Sequence, residues 1–443
     1  MAAAPKDREG TVKAVSFGEL CGLYLATTQG KPETTADEAS SFSGQPSTTQ
    51  PNTDQPSWKP SRAHRSLGDR SWEQSELGSG LHRDTLRSTD GAVLYVTHVD
   101  CTARKANGMA EDLLSVSFDQ FASLRDDEIV PTVIDIFERL GICQGLGVTK
   151  EAITRMVGNG LSLYHKQPAY HTHRHAFDVF QATYFLLVAT ELRDTASHLE
   201  VFCLLIAALL HDVGHPGLTN DFHIREATPF AKFASFKQNS SDVNTCAHPN
   251  EVWHGDITRR LLLSDDGLLP SSHFSEETRA KVDRLVQQLI SATDPSTQPD
   301  FLKSLDARLR QGDCLATDST APDDRLLILS LVMRCADVFH PLRPFHLHKK
   351  WALLFTKEIS RQLMLEYARR KVPVKDPYGN LGASTIDFLN FHVIPLFRYF
   401  VKVFPDKSFT STVLLRLNAK VDIWKSYDMM RETRATARDC VTR

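Results

Sequence analysis

The run Val201-Phe202-Cys203-Leu204-Leu205-Ile206-Ala207-Ala208-Leu209-Leu210 is apolar throughout and closes on His211-Asp212-Val213-Gly214-His215-Pro216-Gly217. A segment that apolar on every side reads as a buried helix rather than a surface one. Ending it in an ionisable pair costs desolvation energy unless something neutralises the pair. A bound metal ion does that well.

Upstream, Tyr170-His171-Thr172-His173-Arg174-His175-Ala176-Phe177-Asp178-Val179 places three histidines within five residues. Read as a helix, the stretch puts His171, His175 and Asp178 on one face. A lone buried histidine usually does no more than hydrogen-bond its surroundings. Here imidazole nitrogens and carboxylate oxygens are concentrated together, and they suit a divalent metal.

A further donor comes from far along the chain. Asp337 closes the apolar segment Leu326-Leu327-Ile328-Leu329-Ser330-Leu331-Val332-Met333-Arg334-Cys335-Ala336. Taken alone, it reads equally as an ion pair with Arg334 or as a helix N-cap. Joined to His175, His211 and Asp212, it completes a mixed nitrogen and oxygen set for Zn²⁺. One carboxylate could bridge to a second, harder ion, Mg²⁺ or Mn²⁺, held mostly by waters. Two-metal sites generate hydroxide between the ions and clamp both oxygens of a phosphoryl displacement. His171, one helical turn from His175, is near enough to protonate a leaving alkoxide without being a ligand. His173 fits none of these roles and reads as a surface residue.

The remaining pattern is helical. Asp127–Leu140 carries Val130, Val133, Ile134, Phe137 and Leu140 on one stripe, and 281–290 repeats it with Val282, Leu285, Val286, Leu289 and Ile290. Residues 325–335 are apolar nearly all round, and helices are predicted over 351–370, 385–404 and 412–430. Convincing β alternation, internal repeats, glycine-rich phosphate loops and G-x-S-x-G elbows are missing. The fold class is all-α. A compact multi-helix domain over 105–435 follows a short segment of unassigned role (1–26) and a Ser/Thr/Pro/Gln-rich linker (27–90). That linker is too poor in apolar residues to offset its ordering entropy and is expected to be disordered. A brief strand-like run covers 92–96.

Composition narrows the class. Apolar residues make up 41% and charged residues 24%, as in a soluble globular protein, and the net charge of −3 gives no field pointing to DNA, RNA or a membrane surface. The eight cysteines form no C-x-x-C pair, and Cys203 and Cys335 sit in apolar segments, which suits reduced thiols in the cytosol. The first residues lack the apolar core of a secretory signal, Ala2 stands where myristoylation needs glycine, and no apolar run is long enough to span a bilayer. The expected location is cytoplasmic.

These residues resemble the class I 3′,5′-cyclic-nucleotide phosphodiesterases. The family signature Y-H-x-x-x-H-A-x-D-V is similar to Tyr170–Val179, and H-D-x-x-H-P-G-x-x-N to His211–Asn220. The resemblance continues through Ala292-Thr293-Asp294, Cys335-Ala336-Asp337, Trp351 with Glu358 and Gln362, and Phe388 to Pro395-Leu396, covering most of 112–430. It implies an HD-type phosphodiesterase catalytic domain with two divalent ions on His175, His211, Asp212 and Asp337, Asp212 bridging them. It implies His171 as the acid that protonates O3′, His215 and Glu251 as supports behind the metals' waters, and His254 beside them. The family's ENHH stretch reads Glu251-Val252-Trp253-His254, so only its ends survive.

The departures fall at base recognition. By the resemblance, Phe388 and Phe355 would clamp the purine between apolar faces. Thr385 stands where the family has its purine-binding glutamine, His340 at a frequent asparagine, and His348 at a recurrent tyrosine. Thr385 is too short for a bidentate amide contact, whereas His340 can still make one hydrogen bond. Losing a bidentate contact would cost about 1–3 kcal/mol if the base's polar atoms stay unpaired. The implied reaction is hydrolysis of cAMP or cGMP to the 5′-monophosphate by a metal-bridging hydroxide. The alternatives are an HD-type phosphohydrolase for another nucleotide or phosphate ester, and a non-catalytic nucleotide- or partner-binding domain.

Overall fold

The computed structural model describes residues 85–87, 93–95 and 112–441, except 241, 243–245, 312–314, 316, 371–377, 379–380 and 406. The chain divides into two units, 1–106 and 107–443. The described part of the first is an antiparallel ladder, β1 (Thr85–Arg87) on β2 (Val93–Tyr95), with Leu86 opposite Leu94. The strand-like run thus supplies β2, and β1 falls inside the stretch read as linker. Residues 1–26 and the rest of that linker lie outside the described residues.

The second unit has no strand among its described residues. Its main helices are α1 (Asp126–Arg139), α2 (His173–Ala189), α3 (His198–Leu210), α4 (Pro249–Leu263), α5 (Glu276–Ser291), α6 (Pro322–Asp337), α7 (Phe345–Arg370), α8 (Leu381–Phe388), α9 (Ile394–Val403) and α10 (Thr410–Val441). At the start of α1, Asp126, Asp127 and Glu128 favour the positive end of the helix dipole.

Helix α3 is the axis. Ser197 and Glu200 start it with a capping box, in which Ser197 Oγ accepts the Glu200 N–H and the Glu200 carboxylate accepts the Ser197 N–H. Every residue from Val201 to Leu210 is buried, and α2, α5 and α6 pack around them. Burying each Leu or Ile side chain in such a core stabilises it by about 1.5–3 kcal/mol, so packing rather than propensity holds α3 in place. Cys203 and Cys335 are buried free thiols, as their apolar settings suggested.

Two helical expectations change. The predicted helix over 385–404 is interrupted by a π-helical turn, Leu389–Val393, between α8 and α9. Pro395 lacks an N–H and crowds the carbonyl four residues back, so the chain widens by a residue there. The helix holding His175 begins only at His173, with Thr172 as its N-cap. His171 therefore lies outside it. Among the described residues no helix is long and apolar enough to cross a membrane.

Candidate metal centre and active site

Three helix ends converge on one buried cluster. His175 stands in the first turn of α2, His211 and Asp212 directly follow α3, and Asp337 is the last residue of α6. His175 Nε2 lies 3.2 Å from Asp337 Oδ1 and 3.6 Å from Asp212 Oδ2. His211 Nε2 lies 3.0 Å from Asp212 Oδ2 and 3.3 Å from Asp337 Oδ1. Helices α3 and α6 both bring their C-terminal ends here, and the partial negative charge of a helix C-terminus favours a cation.

The donor chemistry passes a direct test for a metal. His211 Nδ1 faces the Ala208 carbonyl at 3.0 Å, so the ring donates there and Nε2 carries the lone pair. That Nε2 is buried without a hydrogen bond of acceptable geometry, although carboxylate oxygens surround it. A lone pair held against anionic oxygens needs a cation between them. His254 repeats the arrangement: Nδ1 faces the Val213 carbonyl at 2.8 Å, and its buried Nε2, also unbonded, lies 3.8 Å from Asp212 Oδ1. Asp212 thus presents one oxygen to His175 and His211 and the other to His254. Burial opposes charge on Asp212 and Asp337; in the absence of a cation only protonation of the facing histidines, His211 foremost, holds the two carboxylates below their ordinary range, and a bound ion would take over that role and leave the lone pair on His211 Nε2.

The turn after α3 depends on glycine. Val213 N–H donates to the Leu210 carbonyl and His215 N–H to that of Asp212, which leaves Gly214 at φ +75°. A Cβ on Gly214 would lie 2.9 Å from Trp253 Nε1 and 3.0 Å from Ile257 Cδ1. Only glycine combines that conformation with that closeness.

Behind His171 lies a carboxylate to which the sequence reading gave no role. Glu358 of α7, almost fully buried, accepts the backbone N–H of Tyr170 at 2.8 Å and of His171 at 3.1 Å. Its other oxygen bonds His171 Nδ1. These contacts, with a Thr172 N–H to Tyr170 carbonyl turn, explain why helix α2 does not extend back to His171. Burial alone would lower the His171 pKa, but Glu358, and after it Asp212, raise it to about 9. Burial likewise opposes the charge on Glu358, and His171 brings it down to about 2. His215 stacks on His171 at 4.0 Å and stays neutral, because burial and the His171 charge push it well below its usual value. The Gly217 N–H donates to His215 Nδ1 at 2.9 Å.

Other expected residues fall elsewhere. Asp178 does not share the metal-facing side of α2: it pairs with Arg343 at 3.0 Å and accepts from Gln120 Nε2 at 3.0 Å. Three residues of helix turn about 300°, which leaves Asp178 about 60° from His175, and that offset is enough for its carboxylate to meet Arg343 and Gln120 instead of the cluster. Asp337 makes no pair with Arg334, whose guanidinium donates to Thr297 and lies over the Phe301 ring. His173 is half-buried, 3.2 Å from Asp126. Glu251 accepts from Asn220 Nδ2 at 2.9 Å, and the same amide reaches Asp294 at 3.1 Å. His248 bonds Asp294 as well. Burial first, and then Asp294, push Glu251 up to about 7.

The base-binding candidates form an aromatic chain beside Tyr170. Phe355, partly exposed on α7, meets the Tyr170 ring edge-on at 5.4 Å. His340 lies 6.3 Å from Tyr170 and stacks nearly parallel to Phe388 at 6.0 Å. Thr385 is buried and donates its hydroxyl proton to the Leu381 carbonyl at 2.6 Å. Phe388, Phe355, His340 and Thr385 are thus placed by three separate pieces of chain.

Known proteins agree with this architecture. The family model described as 3′5′-cyclic nucleotide phosphodiesterase matches residues 170–414. The chain is 27% identical over 313 residues to the 3′,5′-cyclic-nucleotide phosphodiesterase regA of Dictyostelium discoideum, covering 70% of this chain and 37% of that protein. It is 31% identical over 288 residues to the dual specificity calcium/calmodulin-dependent 3′,5′-cyclic nucleotide phosphodiesterase 1 of Drosophila melanogaster, covering 63% and 32%. The chain therefore spans about a third of the length of these two relatives. The phosphodiesterase domain of the Salpingoeca rosetta rhodopsin phosphodiesterase shares the fold, with a TM-score of 0.64 at 24% identity over 76% of this chain and 98% of that one.

Proposed function

Since the chain belongs to the 3′5′-cyclic nucleotide phosphodiesterase family, we propose that it hydrolyses a 3′,5′-cyclic nucleotide, cAMP or cGMP, to the 5′-monophosphate. One observation carries the reading. Two imidazoles and two carboxylates meet at cation-binding spacing, with a histidine held protonated beside them.

His175, His211, Asp212 and Asp337 would hold the metals, a Zn²⁺ and a harder Mg²⁺ or Mn²⁺. Bound there, divalent ions supply an activated water near neutral pH and stabilise charge on the phosphoryl oxygens. The chain does the rest. Glu358 keeps His171 as an imidazolium and occupies its Nδ1, so Nε2 is the nitrogen left to protonate the departing O3′. His215, stacked on His171 and neutral, backs that ring without competing for its proton. Phe355 and Phe388 offer faces to a flat base.

The test offers cAMP and cGMP to the purified full chain with Mg²⁺ or Mn²⁺, with Asp337→Ala as control. Turnover of either nucleotide that disappears in the variant supports the reading. Failure to cleave both at millimolar concentration, while another phosphate ester is cleaved, sinks it.

A further inference from the structure

Helix α7 carries Glu358, Gln362 and Glu366 one turn apart, and each grips a different piece of chain near the cluster. Glu358 holds the Tyr170 and His171 N–H groups and the His171 ring. Gln362, a buried side chain, bonds Thr219 twice: its Oε1 accepts the Thr219 N–H at 2.9 Å, and its Nε2 donates to Thr219 Oγ1 at 3.2 Å. The same Nε2 reaches Glu366 Oε1 at 3.0 Å, and Glu366 pairs with Arg225 at 2.5 Å. A backbone N–H only donates, so the Gln362 amide is held in one sense.

Thr219 opens the short helix Asn220–Arg225, its Oγ1 accepting the Phe222 N–H at 3.2 Å. Asn220, the next residue, bonds both Glu251 and Asp294 through its amide nitrogen and accepts the Asn250 N–H at 2.9 Å. Between His215 and Thr219 the chain lies against α7. A Cβ on Gly217, at φ +73°, would stand 3.3 Å from Glu358, and the Arg361 guanidinium donates to the Pro216 carbonyl at 3.4 Å. His171 is thus anchored on Glu358, the Asn220 group on Thr219, and α7 is the rod common to both. Of the other ties between α7 and the short helix, Glu366 with Arg225 and Arg369 and Arg370 with Glu226 are ion pairs with exposed arginines, which contribute little. The tie made by a buried side chain is Gln362 to Thr219.

We infer that Gln362 is a positioning residue for proton delivery: by fixing α7 on Thr219, it keeps His171, carried by Glu358, in register with the group formed by Asn220, Glu251 and Asp294. Gln362 bonds neither His171 nor the four candidate metal ligands and acts only through Glu358 and Thr219. The inference rests on the proposed function for the reaction served, whereas the tie stands on its own geometry. In a cyclic ester the bond from phosphorus to O3′ breaks as water's oxygen bonds to phosphorus, and O3′ takes the proton of His171. A drift of about 1 Å between the two anchors would leave each intact and misalign that transfer. Loss of Gln362 should therefore show where the leaving oxygen needs a proton and vanish where it does not.

Two measurements on the full chain test this. In Gln362→Met, hydrogen–deuterium exchange resolved to single amides should speed up about tenfold at Thr219, Tyr170 and His171 together, with the amides of α3 unchanged. Kinetically, kcat for the preferred cyclic nucleotide should fall about tenfold with KM little changed. Bis(p-nitrophenyl) phosphate, whose nitrophenolate departs without a proton, should keep its kcat within about twofold. The inference is overturned by faster exchange at Thr219 alone, by faster exchange that spreads through α3, or by equal kcat losses on both substrates. Should Gln362→Met fail to fold, Gln362→Glu, which keeps an acceptor for the Thr219 N–H and loses the donated bonds, is read in the same way. If the unaltered chain cleaves neither cyclic nucleotide, the functional reading falls, and joint or separate exchange at Thr219, Tyr170 and His171 still decides the tie.

Discussion

His171 and Glu358, 187 positions apart, form one unit: a carboxylate of α7 bonds the ring of His171 and, through its second oxygen, the backbone on either side of that residue's start. The ring is thereby both oriented and kept protonated.

Replacing Glu358 by Gln should move the alkaline limb of the pH profile. His171 has its pKa raised in the folded protein, so its acid form persists up to about 9 and is lost above that. Without the carboxylate, the limb in kcat/KM should fall toward the ordinary histidine value of about 6.5. An unchanged limb would remove His171 from the role of general acid.

Asp337→Asn should weaken divalent metal binding at least about 100-fold, beyond the usual cost of altering a residue behind the ligands. Titration of the chelator-stripped protein with Mn²⁺ or Zn²⁺ measures it. Stripping the metal from the unaltered chain should also lower the unfolding midpoint, because an ion at 100 times its Kd stabilises the folded state by about 2.7 kcal/mol. Equal midpoints with and without chelator would argue that no metal binds.

Arg343 is 1% exposed and bonds Asp178, Gln181 and the Phe118 carbonyl. Arg343→Ala should destabilise the domain by about 3–5 kcal/mol, chiefly because Asp178 is left buried without its partner. Urea unfolding reads the loss. Metal stoichiometry of the remaining folded protein should not change, since Asp178 lies outside the cluster.

Gly214→Ala should do the opposite, affecting the site more than the fold. The added Cβ meets Trp253 and Ile257 in a backbone conformation that L-residues resist at a cost of about 1–3 kcal/mol. The turn that carries His211 and Asp212 has to shift, and metal affinity should fall with it. A variant with native metal affinity would show that the turn tolerates the strain without moving its ligands.

Much of this was legible in the chain itself, for reasons specific to particular residues. The apolar run 201–210 could only be a buried helix, and the polar pair at its end marked the buried cluster of imidazoles and carboxylates. Asp337 was found by the same signal at the end of α6. Glu358 entered only as a match to the family pattern, without a role, because a glutamate on a long helix gives no local sign that it is buried; its pairing with Tyr170 and His171 supplies that role. Asp178 misled because a spacing of three leaves it about 60° from His175, close enough to suggest a shared role, whereas Arg343 and Gln120 engage it on the flank of that face. The π-helical turn before Pro395 was foreshadowed only by the proline.

The distribution of the site along the chain also bears on biosynthesis. His175 leaves the ribosome early, Asp337 much later, and Glu358 later still. At roughly 5–20 residues per second, the interval between the first and last of these is on the order of ten to forty seconds. For most of it the nascent chain would carry imidazoles and a carboxylate able to capture stray metal, before the closing ligand Asp337 and then Glu358, the partner of His171, have emerged. Hydrolytic competence would then arrive late and all at once, as the segment from Asp337 to Glu358 docks.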